Sequence, residues 1–136
     1  MSSGRHLTVL AVLGLLAGCD WRSIQERYDR RLYRAQVARA KADITMLATA
    51  LDQYAMANAG KWPDSLEALV LEDAEGYAYL RVRQIPLDPW ENDYQYEPPG
   101  AGSMKYRLYS LGSDSAVGGV DEGRDITYQA ILNNEL

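Results

Sequence analysis

The chain contains no phenylalanine, one cysteine and one histidine among 136 residues, and each scarcity removes a class of chemistry. A single cysteine, Cys19, cannot close an internal disulfide, so no covalent staple contributes to the fold. The only histidine, His6, lies near the start. A chain shortened past it has no imidazole, which removes most general-base and zinc chemistry. Ten tyrosines replace the missing phenylalanines and predict a small core finished with amphipathic rings. Long apolar runs are absent too. The strongest, "LTVLAVLGLLAG" from Leu7 to Gly18, would span about 18 Å as a helix against a hydrocarbon core of about 30 Å, so a permanent transmembrane helix is not expected. With 47% hydrophobic and 24% charged residues, the chain has the composition of one folded globular domain.

Charge is unevenly spread. Residues 20–41 carry seven Lys/Arg against three Asp/Glu, whereas residues 42–136 carry six against sixteen. A basic stretch beside a membrane favours anionic headgroups, although a solvated helix face is the simpler account of most of it. The acidic remainder suits solubility or a divalent cation, and nothing points to nucleic acid.

The short apolar run follows Arg5 and has the length of a signal-peptide core. It ends in Leu16-Ala17-Gly18-Cys19, which resembles the bacterial lipobox, in which the cysteine thiolate accepts a diacylglyceryl group and becomes the new amino terminus. An ordinary secretory signal with an incidental cysteine is the alternative. The lipobox resemblance implies that Cys19 is a tether, since more than one acyl chain gives a durable anchor. Asp20 resembles the residue that retains enterobacterial lipoproteins in the inner membrane. Trp21 is a candidate interfacial anchor. The expected organisation is a signal peptide (1–18), a lipidated tether (19–23), a long helix (24–59) and a globular head (60–136).

Ser23-Ile24-Gln25-Glu26 has the form of a capping box and predicts a helix start near Ile24. Ile24, Tyr28, Leu32, Ala35, Ala38 and Ala42 recur at helical spacing. A second apolar register runs through Ile44, Leu47, Ala48, Leu51, Tyr54 and Ala55. No Pro or Gly interrupts these until Gly60, so one helix of about 35 residues is expected, a stalk first and a head-packed stripe after it. "NAGKWP" (58–63) ends it, and Asp64-Ser65-Leu66-Glu67 starts a short second helix. Residues 72–89 read as irregular. Tyr94-Gln95-Tyr96 and Lys105 to Leu111 alternate like strands, and Ile126 to Ile131 is a candidate third strand. Pro86, Pro89 and Trp90 are expected to shape a turn and plug the core. Tyr94, Tyr96, Tyr106 and Tyr109 are expected to form cross-strand pairs.

The order long helix, short helix, small antiparallel sheet with an acidic loop is an α+β arrangement. It resembles the type IV pilin-like fold, and in particular the major pseudopilin (protein G) family of bacterial type II secretion systems. Three stretches carry the resemblance: "LDQYAMANAGKWPDSLEAL" (51–69), "IPLDPWENDYQY" (85–96) and "YSLGSDSAVGG" (109–119). Members of that family begin with Gly-Phe-Thr-Leu-Ile-Glu and about twenty apolar residues. Here Gly4-Arg5-His6-Leu7-Thr8 and the short run through Cys19 stand instead, so the expectation is a pseudopilin head on an exchanged membrane device.

Asp114, Asp121, Glu122 and Asp125 lie close together among glycines that permit sharp turns. Calcium takes six to eight hard oxygens of this kind, but the EF-hand pattern is missing and a solvated acidic turn is the simpler reading of the residues alone. The family resemblance implies a calcium ion held by Asp114, Asp121 and Glu122 with the Leu111 carbonyl. Asp125 ranks behind them because Arg124 shields its charge.

The leading expectation is a non-enzymatic, lipid-anchored periplasmic component of a type II secretion or related pilus-like assembly, with the inner membrane favoured. Its partners would be pseudopilins or inner-membrane platform proteins. A free-standing periplasmic binding lipoprotein that reuses the fold is the alternative. A hydrolase built on paired carboxylates is disfavoured, because a long helix leaves little chain for a cleft.

Overall fold

The computed structural model describes residues 20–100 and 105–136. Cys19 and the expected signal peptide lie outside the described residues. The chain divides into two compact units, Met1–Tyr33 and Arg34–Leu136. No described helix is long and apolar enough to cross a membrane.

Helix α1 spans Trp21–Ala57. It begins three residues before the expected start, because Asp20 already occupies the cap position and its carbonyl accepts from the Ile24 amide at 3.1 Å. Ser23 is therefore helical, and its hydroxyl donates to the Asp20 carbonyl at 2.9 Å instead of capping the helix. Of the two apolar registers, only the second faces the core. Ile44, Leu47, Ala48, Leu51 and Ala55 are buried, while Ile24, Tyr28, Leu32, Ala35, Ala38 and Ala42 are exposed. Each fully buried Leu or Ile contributes about 1.5–3 kcal/mol of transfer free energy, so this stripe holds α1 to the head. Asn58 ends the helix by donating its side-chain amide to the Tyr54 carbonyl at 2.8 Å, and Ala59 and Gly60 turn the chain through positive φ.

Within Arg34–Leu136, a single 3-10 turn at Leu66–Leu69 follows, with Leu66 and Leu69 in the core. The chain then runs without helix or strand to a three-stranded antiparallel sheet in the order β1 (Gln95–Glu97), β2 (Arg107–Ser110), β3 (Ile126–Thr127). The last strand is shorter than expected. Thr127 becomes a helix cap, its hydroxyl accepting from the Ala130 amide at 3.0 Å, and Tyr128–Leu132 form helix α2. The core joins Ile44, Leu47 and Leu51 of α1 to Leu69, Leu108 and Ile126.

The tyrosines do not pair directly across the strands. The register sets Gln95 opposite Tyr109 and Tyr96 opposite Leu108. Tyr96 and Tyr106 meet on the diagonal, with ring centroids 6.0 Å apart, and Trp62 covers Tyr106 at 4.7 Å. Tyr94 instead donates to Asp43 at 2.9 Å and Tyr109 to Glu97 at 3.2 Å. Pro86, Pro89 and Trp90 are partly buried around a turn closed by the Glu91 amide on the Asp88 carbonyl at 3.0 Å.

Burial pushes the phenols of Tyr94, Tyr96, Tyr106 and Tyr109 above their usual 10.0, that of Tyr96 to about 12. The hydrogen bonds to Asp43 and Glu97 act in the same direction for Tyr94 and Tyr109. The fold therefore favours the neutral phenol. This stabilisation is complete below the unfolded value and is lost as pH rises through the folded ones. Alkaline titration followed by tyrosinate absorbance is expected to show delayed ionisation of these four rings, coincident with loss of circular dichroism above about pH 10. Free titration of all ten tyrosines before unfolding would contradict it.

Candidate functional site

The acidic loop leaves β2 at Ser110 and returns at Ile126. Two 3-10 turns, Gly112–Asp114 and Asp121–Gly123, shape it. Backbone bonds close it on itself: the Asp125 amide donates to the Gly118 carbonyl at 3.0 Å and the Gly123 amide to the Val120 carbonyl at 2.9 Å. Gly119 has φ +75°, and a Cβ there would collide with the Gly123 carbonyl oxygen and stand 2.8 Å from Asp114 Oδ2. This position needs glycine for both conformation and space.

The sequence-derived ligand candidates fall into two groups. Asp114 and Asp125 are built into the loop. Asp114 Oδ1 accepts from the Ala116 amide at 3.0 Å, and its Oδ2 lies against the Gly119–Gly123 backbone. Asp125 Oδ2 accepts from the Gly118 amide at 2.9 Å. Asp114 is nevertheless exposed, as are Asp121 and Glu122, and Leu111 is partly buried just before the first turn. Among the described residues, no three carboxylate, imidazole or thiol side chains are gathered as a metal-holding cluster. The second Asp125 oxygen, Oδ1, is enclosed and has no hydrogen-bond partner. A buried carboxylate oxygen in that position is costly unless a cation or donor satisfies it, so Asp125 is the residue whose surroundings best fit a bound ion. Backbone carbonyls of a loop folded this tightly would have to supply much of the coordination.

Beneath the loop lies a polar centre that the sequence did not single out. Asp88, within "IPLDPW", is buried and accepts from the Trp90 amide at 2.9 Å, the Asn92 amide at 2.9 Å and the Ser110 hydroxyl at 2.6 Å. Ser110 Oγ in turn accepts from the Gly112 amide at 3.1 Å, and Asn92 Nδ2 donates to the Gly112 carbonyl at 3.5 Å. The proline-bounded turn and the acidic loop are thus one hydrogen-bonded unit. The signal was an Asp between two prolines, a residue type that commonly accepts backbone amides two residues on.

The hydroxyl–carboxylate pair of this centre, Ser110 on Asp88, is closed off from solvent. Buried donors and acceptors hold two loops together, and Asp125 Oδ1 is enclosed beside them without a hydrogen-bond partner.

A sequence profile of the family "Type II secretion system (T2SS), protein G" matches residues 27–129. The chain is 36% identical over 133 positions to the type II secretion system core protein G of Pseudomonas aeruginosa, covering 88% of this chain and 87% of that protein. It is 33% identical over 129 positions to the protein of the same name from Vibrio cholerae, covering 88% and 84%. The crystal structure of the major pseudopilin from the type 2 secretion system of enterohaemorrhagic Escherichia coli superposes with a TM-score of 0.52 at 29% identity, over 70% of this chain and 87% of that one. Profile, sequence relatives and fold agree: this chain belongs to the type II secretion system protein G family.

Proposed function

We propose that the chain is a structural component of a type II secretion machine, held at the periplasmic face of a membrane, the inner one favoured, by lipid on Cys19. The observation that carries this reading is the union of the 85–96 turn and the 109–119 loop through Asp88 and Ser110, inside a head matched by the family profile over 27–129. Its work is assembly, with other pseudopilins or inner-membrane platform proteins as partners.

Calcium belongs to the same proposal. Asp114, Asp121, Glu122 and Asp125, with the Leu111 carbonyl, are the residues that would hold the ion, and Asp125 Oδ1 is the best-supported ligand. Bound calcium would neutralise carboxylates that otherwise repel one another. Ser113 tightens the loop independently by donating to the Glu122 carbonyl at 2.7 Å.

The test is crosslinking in cells from a photoreactive residue at Val117 or Met56, both exposed. Adducts with secretion-system pseudopilins or platform proteins, and a secretion defect on gene deletion, are expected. Adducts only with unrelated envelope proteins, with secretion intact, would favour a free-standing binding lipoprotein. Cys19→Ala is expected to release the protein from membranes or leave it unprocessed, read by fractionation and lipid labelling. Unchanged membrane retention and processing would remove the anchor.

A further inference from the structure

The first helical turns of α1 carry a stripe that packs on nothing among the described residues. Trp21, Ile24, Tyr28 and Leu32 are 73%, 42%, 63% and 48% exposed. Their spacing of three, four and four residues puts all four within a narrow arc of one helix face. Arg27 and Arg31 border that arc on one side, and with Ile24 and Tyr28 they line a surface groove of about 300 Å³. No carboxylate among the described residues forms an ion pair with either arginine. Arg27 Nε donates only to the Ser23 carbonyl, at 3.2 Å. Glu26 and Asp29 lie about 160° and 100° around the helix from Tyr28, away from the groove.

We infer that residues 21–33 form a docking face for an anionic phospholipid surface. The aromatic and aliphatic stripe enters the headgroup boundary, and the Arg27–Arg31 groove receives lipid phosphates. Guanidinium groups match phosphate oxygens with paired donors. Trp and Tyr favour the boundary because each ring is apolar with one polar edge. A second copy is the poorer occupant, since two such helices joined along this stripe would bring like-charged arginines together. The inference rests on the Cys19 anchor only for bringing the helix to the membrane. It adds that the first turns lie in the interface and do not stand free in water.

The test uses the full chain, extracted from membranes and reconstituted into phosphatidylcholine vesicles with and without phosphatidylglycerol. Flotation reads attachment, and amide hydrogen exchange of peptides within 21–33 reads docking. Each arginine near a charged surface is worth about a fivefold change in the docking equilibrium. Exchange is therefore expected to slow by about tenfold or more on anionic vesicles. The Arg27→Gln/Arg31→Gln variant, which keeps helix propensity, should lose that slowing while still floating. Equal exchange on both vesicles by a chain that floats would overturn the inference and leave the anchor intact. Flotation on anionic vesicles alone would remove the anchor and keep the inference, and flotation on neither would remove both. Protection that grows with protein-to-lipid ratio and yields crosslinked pairs would assign the face to a second copy.

Discussion

Replacing Asp88 by alanine is expected to lower the unfolding free energy by about 3–5 kcal/mol. The carboxyl is buried and holds the Trp90 and Asn92 amides and the Ser110 hydroxyl. The shorter side chain leaves these donors without an acceptor, and desolvated donors cost about 1–3 kcal/mol each. A domain of this size has a total stability of about 5–15 kcal/mol, so much of it would go. Asp88→Asn keeps an acceptor for the two amides at Oδ1 and is expected to cost about 1–2 kcal/mol. Ser110→Ala should be milder than Asp88→Ala, because it removes one donor to the carboxyl and one acceptor for the Gly112 amide. Urea unfolding of the three variants checks the order. An Asp88→Ala protein within about 0.5 kcal/mol of the parent would show that the hub does not hold the two loops together.

Removing calcium is the second large expected effect. An ion bound only by the folded state stabilises it by about 2.7 kcal/mol at a hundredfold excess over Kd. Chelation should then lower the melting temperature by several degrees and speed exchange in residues 112–125. Asp125→Ala is expected to abolish the response, since its Oδ1 is the enclosed oxygen without a partner. Asp121→Ala and Glu122→Ala, at exposed positions, should blunt it less. Magnesium should substitute poorly, because it requires a tight octahedron and retains its waters. Melting curves that coincide in calcium and in chelator would remove the ion from the account.

The head was largely legible in the sequence, for reasons particular residues make plain. Ile44, Leu47, Leu51 and Ala55 recur at helical spacing, and that period places them on one face, the face that is buried in the fold. The earlier register from Ile24 to Ala42 has the same period but lies outward. Periodicity marks an apolar face without saying what it meets. Helix and strand ends were less legible because neighbouring polar groups compete for the same role. Asp20 took the cap expected of Ser23, and Thr127 converted the tail of an expected strand into a helix start. The loop was visible as a cluster of acids among glycines, but the burial of each acid was not. Folding encloses Asp125 Oδ1 and leaves Asp114, Asp121 and Glu122 exposed, which depends on how the two 3-10 turns close. Asp88 was hidden for a related reason: its amide donors are local, but Ser110 lies 22 residues on and reaches the carboxyl only in the folded chain.

The central claim is that a pseudopilin-family head is joined to the membrane through lipid on Cys19. Mass spectrometry of the intact protein purified from membranes measures this directly. A mature chain starting at Cys19, heavier than its polypeptide by a diacylglyceryl group with or without a further acyl chain, is the predicted result. A chain that retains Met1, or one cleaved elsewhere with an unmodified Cys19, would contradict it.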